Sequence, residues 1–206
     1  MKAIVTCLFS VLLLSFAIKS NAQLDSAVIT REVWGFQNEL NKEYKSEKDS
    51  PLPPEQRKQF KSHSFFPISM QYVVVAKFVR TPGEHVFKMP TSGAKTPEYV
   101  KYGEAHFTLL GKPYKLNLYQ SLDLAKTEQY KNHLFLPFRD STSGKQTYGG
   151  GRYIDLTIPA GDTIVINFNK AYHPYCAYVE GYNCPIPPRE NFLPLPVYAG
   201  IRFNKN

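Results

Sequence analysis

The sequence predicts a mainly β protein, a single antiparallel β-barrel or sandwich-like domain with an N-terminal amphipathic helix. Three observations predict this class. Apolar residues recur at helical spacing over residues 25–46, seven or eight β-branched and aromatic runs follow from residue 72 onward, and short turns separate these runs. No internal repeat is visible, so we expect one domain over residues 23–206.

Residues 1–22 have the pattern of a secretory signal peptide. Lys2 supplies a positive charge, residues 7–18 are mostly apolar, and residues 20–22 form a small-residue cleavage site. The apolar stretch is shorter than the roughly 20 residues that a membrane span needs. We therefore expect cleavage near Ala22, a secreted protein that is periplasmic or extracellular, and no membrane span in the mature chain.

The predicted helix follows at residues 25–46. Asp25 or Ser26 can cap its start, and lysines near its end suit the negative end of the helix dipole. The proline-rich segment 50–54 stops it, because proline lacks the amide donor and clashes with the preceding turn. The stripe that should pack onto a larger body consists of Ile29, Val33, Phe36, Leu40 and Tyr44.

The later part of the chain changes to strand-like patterns. Residues 111–113 and 160–162 are typical of hairpin turns. The predicted strands are Tyr72–Arg80, Val86–Met89, Glu104–Leu110, Tyr114–Gln120, Leu134–Phe138, Tyr153–Ile158, Thr163–Phe168 and Val197–Phe203.

The hairpin around residues 160–162 allows a register to be predicted. A three-residue loop brings the alternate apolar residues of 154–158 and 164–168 to one face. The other face then holds Tyr153 opposite Asn169 and Asp155 opposite Asn167. This polar face is either a solvated outer surface or part of a site.

The charge of the chain does not indicate a nucleic-acid partner. The formal net charge is +8, loss of Lys2 and Lys19 with the signal peptide lowers it by two, and the basic residues are scattered. A solvated surface explains this charge, so we expect no nucleic acid among the partners.

Two cysteines, Cys176 and Cys184, remain after Cys7 leaves with the signal peptide. An even pair in an oxidising compartment predicts a disulfide, with free thiols or a metal site as alternatives. His173 is the only imidazole close in sequence, and no zinc-type spacing occurs. Gly144 and Lys145 lack the rest of a phosphate loop. We therefore expect neither a metal nor a cofactor.

Two segments are candidates for a site. The first, 138–153, carries three consecutive glycines at 149–151, which serve either a bend into a strand or the close approach of a ligand. The second, 169–191, combines four tyrosines, both cysteines and several prolines. It is either a clasp over one end of the barrel or a rigid rim that holds a ligand.

These segments also resemble a known family. The motifs are residues 138–144, Thr147-Tyr148 with 150–153, Phe168-Asn169 with Ala171-Tyr172, 174–178, Cys184-Pro185, Pro187-Pro188 and Glu190-Asn191, with 50–52 and 65–68 upstream. They are similar to domain-of-unknown-function family 1684, which has no established reaction. His173 stands where the family pattern has Asn, and Asn167 where an acidic residue is usual. The resemblance therefore implies neither a metal ligand at 173 nor a catalytic acid at 167.

A binding module is the leading functional prediction, with a small polar or anionic ligand beside segment 169–191, which we call the tyrosine-rich loop. Paired donors of the arginines would hold an anionic group, and tyrosine rings would stack on the ligand. The candidate ligand-binding residues are Arg139, Asp140, Tyr148, Arg152, Asn169, Tyr172, Tyr175 and Tyr178.

Two alternatives remain open from the sequence. A hydrolase-type enzyme would use Asp140 and Glu190 as its carboxylates, although no nucleophile motif supports acyl transfer. A purely structural envelope protein would have the tyrosine-rich loop fully packed, with no pocket beside it.

Overall fold

The computed structural model describes residues 25–203, so the predicted signal peptide and its cleavage site lie outside the described residues. Helix α1 spans Ser26–Lys45, and the short helix α2 spans Pro54–Gln59. Asp25 caps α1, because its side chain accepts the backbone N–H of Ala27 at 2.8 Å. The predicted N-terminal helix is thus confirmed. No described helix is both long and apolar enough to cross a membrane.

The rest of the fold is an antiparallel sheet that curls into a half-barrel, which confirms the mainly β class. Its strands run in the order β7-β6-β5-β4-β2-β8, while β3 pairs with β4, β9 runs parallel to β6, and β1 pairs with β10. The strands are β1 (Ser64–Phe65), β2 (Val73–Arg80), β3 (Phe87–Lys88), β4 (Glu98–Leu109), β5 (Lys112–Ser121), β6 (His133–Asp140), β7 (Arg152–Thr157), β8 (Thr163–Asn167), β9 (Phe192–Leu193) and β10 (Ile201–Arg202).

The hairpin predicted around Gly111 is present between β4 and β5. Leu109 pairs with Lys112, so the loop contains only Leu110 and Gly111. Their φ angles are 49° and 78°, as a tight two-residue hairpin turn with primed geometry requires. Glycine adopts such angles without steric cost, which explains its place here.

The second predicted hairpin, between β7 and β8, is wrong. These strands lie at opposite ends of the sheet: Ile154 of β7 pairs with Leu136 of β6, and Ile166 of β8 pairs with Val74 of β2. The alternation within each strand is as predicted, and both isoleucines are in the core. Alternation specifies which face a side chain takes, whereas the curl of the sheet decides which strand lies next to it. The predicted groupings of Tyr153 with Asn169 and of Asp155 with Asn167 therefore do not occur.

The sheet is buried on both faces at β6. Its inner face belongs to the main core, with Leu134, Leu136 and Phe138 all fully buried. Its outer face carries a smaller aromatic cluster that lies beneath α1 and the tyrosine-rich loop. The members of this outer cluster are Met89, Tyr99, Tyr119, Phe135 and Tyr153, with Phe87 and Tyr172 packed against them.

Candidate ligand-binding cleft

A cleft of about 560 Å³ lies on the outer face of the sheet. Its floor is formed by β6 and β7, one wall by α1, and the other wall by residues 172–185 of the tyrosine-rich loop. Most of its lining is aromatic. The lining rings of Phe and Tyr are Phe36, Tyr44, Tyr99, Tyr130, Phe135, Tyr153, Tyr172, Tyr175 and Tyr182.

Strand alternation places the side chains of the floor. Phe135 of β6 pairs in register with Asp155 of β7, and both point to the outer face together with Tyr153. The rings of Phe135 and Tyr153 are 4.8 Å apart and nearly perpendicular, at 72°. The Tyr153 and Tyr172 rings are 5.8 Å apart at 90°. The floor thus presents rings that stand at right angles to one another.

Asp155 is the polar centre of the floor. Its Oδ2 accepts a hydrogen bond from the Tyr172 hydroxyl at 2.8 Å, and its Oδ1 lies 2.9 Å from His133 Nε2. Half of the Asp155 side chain is nevertheless exposed. Burial and the neighbouring carboxylate raise the pKa of Tyr172 well above its ordinary value, so the phenol stays protonated and donates.

A second carboxylate, Glu43, enters the cleft from α1. It accepts a hydrogen bond from the hydroxyl of Tyr175 on the opposite wall. Burial, followed by the effect of Glu43, raises the pKa of Tyr175. This contact ties the helix to the loop across the cleft.

The loop wall is held in several ways. Cys176 and Cys184 form the predicted disulfide, with Cα atoms 6.3 Å apart. The backbones of Tyr153 and Tyr172 exchange two hydrogen bonds, at 2.9 and 3.0 Å, and the Tyr153 hydroxyl donates to the carbonyl of Pro185. The tyrosine-rich loop is therefore attached to the sheet and presents a fixed wall.

Among the described residues, the lining of the cleft carries carboxylates and histidines but neither lysine nor arginine. Within residues 25–203 it includes the carboxylates of Glu43 and Asp155 but no lysine or arginine, although the whole chain has a net charge of +8. The described residues also contain no group of three or more His, Cys, Asp or Glu side chains arranged to hold a metal ion.

Arg152 and Asp140, two of the predicted ligand-binding residues, lie on the other side of the sheet. Both side chains are fully buried, and Arg152 Nη2 is 3.2 Å from Asp140 Oδ1. The guanidinium also donates to the carbonyls of Val197 and Ala199, and Asp140 accepts the Val197 N–H at 2.7 Å. This pair fastens the C-terminal segment from inside and cannot meet a ligand in the cleft, which corrects the predicted role of Arg152 as an anion-binding group.

The other predicted residues divide between the two regions. Tyr172 and Tyr175 line the cleft. Asn169 is buried, where its side-chain amide exchanges hydrogen bonds with the backbone of Ser69 at 2.9 and 3.0 Å, so its role is in the fold. Arg139 is half-buried and has no ion pair with any residue of the described 25–203 range.

Tyr148 and Tyr178 pack around His173. The Tyr148 N–H donates to His173 Nε2 at 3.1 Å, and the Tyr178 hydroxyl lies 3.1 Å from His173 Nδ1. Accepting at Nε2 requires a neutral ring with its proton on Nδ1. Burial lowers the pKa of His173 well below its ordinary value, which agrees with that neutral form.

The glycine run contacts the tyrosine-rich loop, but the contact serves packing and does not form a ligand site. Gly151 has a φ of 98°, and a β-carbon there would lie 2.6 Å from the carbonyl oxygen of Phe138 and 2.8 Å from Pro187 Cγ. Only glycine fits this close approach of loop and strand. The run thus brings the two segments together next to the cleft.

The carboxylate pair of the hydrolase alternative is not assembled for chemistry. Asp140 is enclosed, with hydrogen bonds from Thr142 and Val197 as well as its ion pair, whereas Glu190 is exposed in the turn Arg189–Asn191. A substrate cannot contact the enclosed Asp140 without opening the core.

Sequence reasoning missed the helix wall and His133. Phe36 and Leu40 belong to the predicted apolar stripe of α1, but periodicity alone could not show that they stop short of full burial. The sequence signal that pointed to the cleft floor was the shared face of Tyr153 and Asp155. A solvated outer surface also explained that face. His133 joins it only through the pairing of β6 with β7.

The molecule is a small β protein with a candidate binding site. Its sheet curls into a half-barrel, a helix lies at its N-terminal end, and an aromatic cleft lies on the outer face of the sheet. The chain belongs to the family described as "Protein of unknown function (DUF1684)", whose model matches residues 58–202. The family resemblance is thereby confirmed, with α1 and residues 50–52 outside the matched range.

The comparison with solved structures agrees with this family. The chain is similar to an uncharacterized protein from gene locus rrnAC0354 of Haloarcula marismortui, solved in solution by NMR. The two share 32% sequence identity with a TM-score of 0.68, over 87% of this chain and 96% of that one. No curated protein matches the chain.

Proposed function

We propose that this is an exported binding protein that holds a small polar organic ligand in the outer-face cleft. The observation that carries the proposal is the cleft itself: about 560 Å³, walled by aromatic rings, with two carboxylates and their phenol partners among its polar groups. Ligand sites typically occupy 300–1,000 Å³ and combine apolar walls with few polar groups. The structural alternative predicted a fully packed loop with no pocket beside it, so the cleft supports binding instead.

The proposed ligand differs from the one that the arginines suggested. An anionic ligand would need cationic partners, and the described lining offers two carboxylates and no lysine or arginine. Arg152 is enclosed with Asp140. The proposal is therefore a ligand that is neutral or positively charged where it meets the cleft.

Export is the second part of the proposal. It is supported by the pattern of residues 1–22 and by the disulfide between Cys176 and Cys184, since disulfides persist in oxidising compartments. The full chain should be expressed with its native N-terminus and recovered from the envelope fraction. Its intact mass should correspond to a chain beginning at Gln23 with the two cysteines joined.

Saturation-transfer NMR on that material, with a panel of sugars, amines and carboxylates, tests binding. We expect at least one binder whose signal disappears in Leu40→Trp, because the larger ring fills the cleft. Val75→Trp is the matched control, since Val75 is exposed on β2 and does not line the cleft. Absence of any binder, or binding that survives Leu40→Trp in a folded protein, would contradict the proposal.

A further inference from the structure

We infer that the group recognised in the cleft is a quaternary ammonium, carried on a small organic molecule. This inference rests on the proposed function and names the chemistry of its ligand. Three properties of the lining carry it: its carboxylates, its aromatic rings, and the hydrogen bonds that the carboxylates already accept.

The charge of the lining selects a cation. Asp155 on the floor and Glu43 on the helix wall face the same hollow, which is also lined by His133, beside Asp155, and by the buried His173, but by no lysine or arginine of the described chain. The Tyr172 and Tyr175 phenols stay neutral because their pKa values are raised. The rest of the molecule has an excess of basic residues, so the acidity of the cleft is local. A cation gains attraction there, and an anion is repelled.

The rings select a cation with an apolar surface. Phe135 and Tyr153 are nearly perpendicular, as are Tyr153 and Tyr172, while Tyr175 and Tyr182 lie 5.1 Å apart at 64°. These contacts are edge-to-face packing within the floor and the loop wall, and the rings that line the cleft come from its floor, its helix wall and its loop wall. Each ring face attracts positive charge through its quadrupole, which is how methylated ammonium groups are bound in aromatic cages.

The hydrogen bonds favour a quaternary over a primary ammonium. Both oxygens of Asp155 have partners, Tyr172 and His133, and Glu43 accepts from Tyr175. These bonds hold the negative charges at the walls and take up some of the acceptor positions that the three N–H groups of a primary ammonium would use. A quaternary ammonium has no N–H to satisfy and uses only the field of the carboxylates and the ring faces.

Isosteric probes test this inference. Choline, 3,3-dimethyl-1-butanol and 3,3-dimethylbutyrate have similar shapes with positive, zero and negative charge, and ethanolamine replaces the quaternary group by a primary one. In calorimetric titration of the mature protein we expect choline to bind at least about tenfold more tightly than the uncharged alcohol or ethanolamine. The carboxylate should not bind detectably.

Variants assign the effect to the cleft. Asp155→Asn and Glu43→Gln should each weaken choline binding about fivefold or more while leaving the weak binding of the alcohol unchanged. Asp162→Asn, which removes an exposed carboxylate of the loop before β8, is the control and should bind choline as the wild type does.

The outcomes separate this inference from the proposed function. Equal affinity for choline and the alcohol, both lost in Leu40→Trp, overturns the preference for a cation and leaves a binding cleft. Tighter binding of ethanolamine overturns the quaternary assignment. If none of these probes binds while a sugar from the NMR panel does, the ligand class is wrong. If nothing in either panel binds, the proposed function fails as well.

Discussion

Strand β7 carries two polar centres on its opposite faces. Arg152 points inward to Asp140, where both side chains are fully buried and every contact is with the protein itself. Asp155 points outward to Tyr172 and His133, yet half of its side chain remains exposed in the cleft. The residue types are similar, and the difference lies in what surrounds them. The inner centre supports the fold, whereas the outer centre remains accessible from solvent.

The comparison also extends to histidines. His63 and His173 are buried, and burial lowers the pKa of His63 to about 4 and that of His173 well below its ordinary value. His133 instead lies at the edge of the cleft beside Asp155. The buried histidines are tolerated only in the neutral form, because a charged ring would lose its hydration without gaining a partner.

Breaking the inner centre should give the largest effect. Arg152→Ala leaves Asp140 buried without its cation, so we expect the free energy of unfolding to fall by about 3–5 kcal/mol in urea titrations. Arg139→Ala is the matched control and should cost about 1 kcal/mol or less, because Arg139 is half-buried without an ion pair among the described residues. A small loss for Arg152→Ala would mean that the pair is not needed for folding.

Lowering the pH should lower the free energy of unfolding, because the buried histidines resist protonation. Between about pH 6.5 and pH 4 the unfolded chain binds a proton at His63 that the folded chain does not, so stability falls as the pH falls. The slope from one such histidine is about 1.4 kcal/mol per pH unit. His63→Phe removes one contribution and should flatten the dependence of unfolding free energy on pH, with His173 still contributing.

The same denaturation series with His85→Phe provides the control, because His85 is exposed. Its pH dependence should match that of the wild type. An unchanged slope in His63→Phe would show that the buried ring does not resist protonation, and the distinction between enclosed and open histidines would lose its support.

Changing the outer centre should have the smallest effect on stability. Asp155→Asn is expected to lower the free energy of unfolding by less than about 1 kcal/mol, since the group is half exposed and its interactions are screened by solvent. Asp140→Asn, the equivalent change on the inner face, should cost several times more because it leaves Arg152 uncompensated. Equal losses in the two variants would make the outer centre structural too.

The elements of the fold were largely predictable because they depend on local patterns. The spacing of apolar residues predicted α1, and its cap at Asp25 is in place. Runs of β-branched and aromatic residues predicted β2, β5, β6 and β7, and the glycine at 111 predicted the tight turn between β4 and β5. The two cysteines that remain after the predicted signal peptide predicted the disulfide. In each case the signal lies within one short segment of the chain.

The candidate site was predictable only in part. Tyr172 and Tyr175 were identified because the loop that carries them is unusual. Alternation placed Tyr153 and Asp155 on one face, but neither was among the candidate ligand-binding residues. Arg152 was misassigned because a charged residue in sequence gives no sign of whether it will be enclosed. Its neighbour in the chain faces the cleft, so an error of one residue changes a ligand contact into a core ion pair.

The sequence by itself determined which residues form helix and strand, which side chains alternate, and which family the chain resembles, because these follow from short-range periodicity and from motifs. The tertiary structure alone decided that β7 and β8 lie at opposite edges of the sheet, that α1 covers its outer face, and that Glu43 and Asp155 share one hollow. Glu43 and Asp155 are more than 100 positions apart in sequence, and all three features depend on how the sheet curls and how layers pack, which no local pattern encodes.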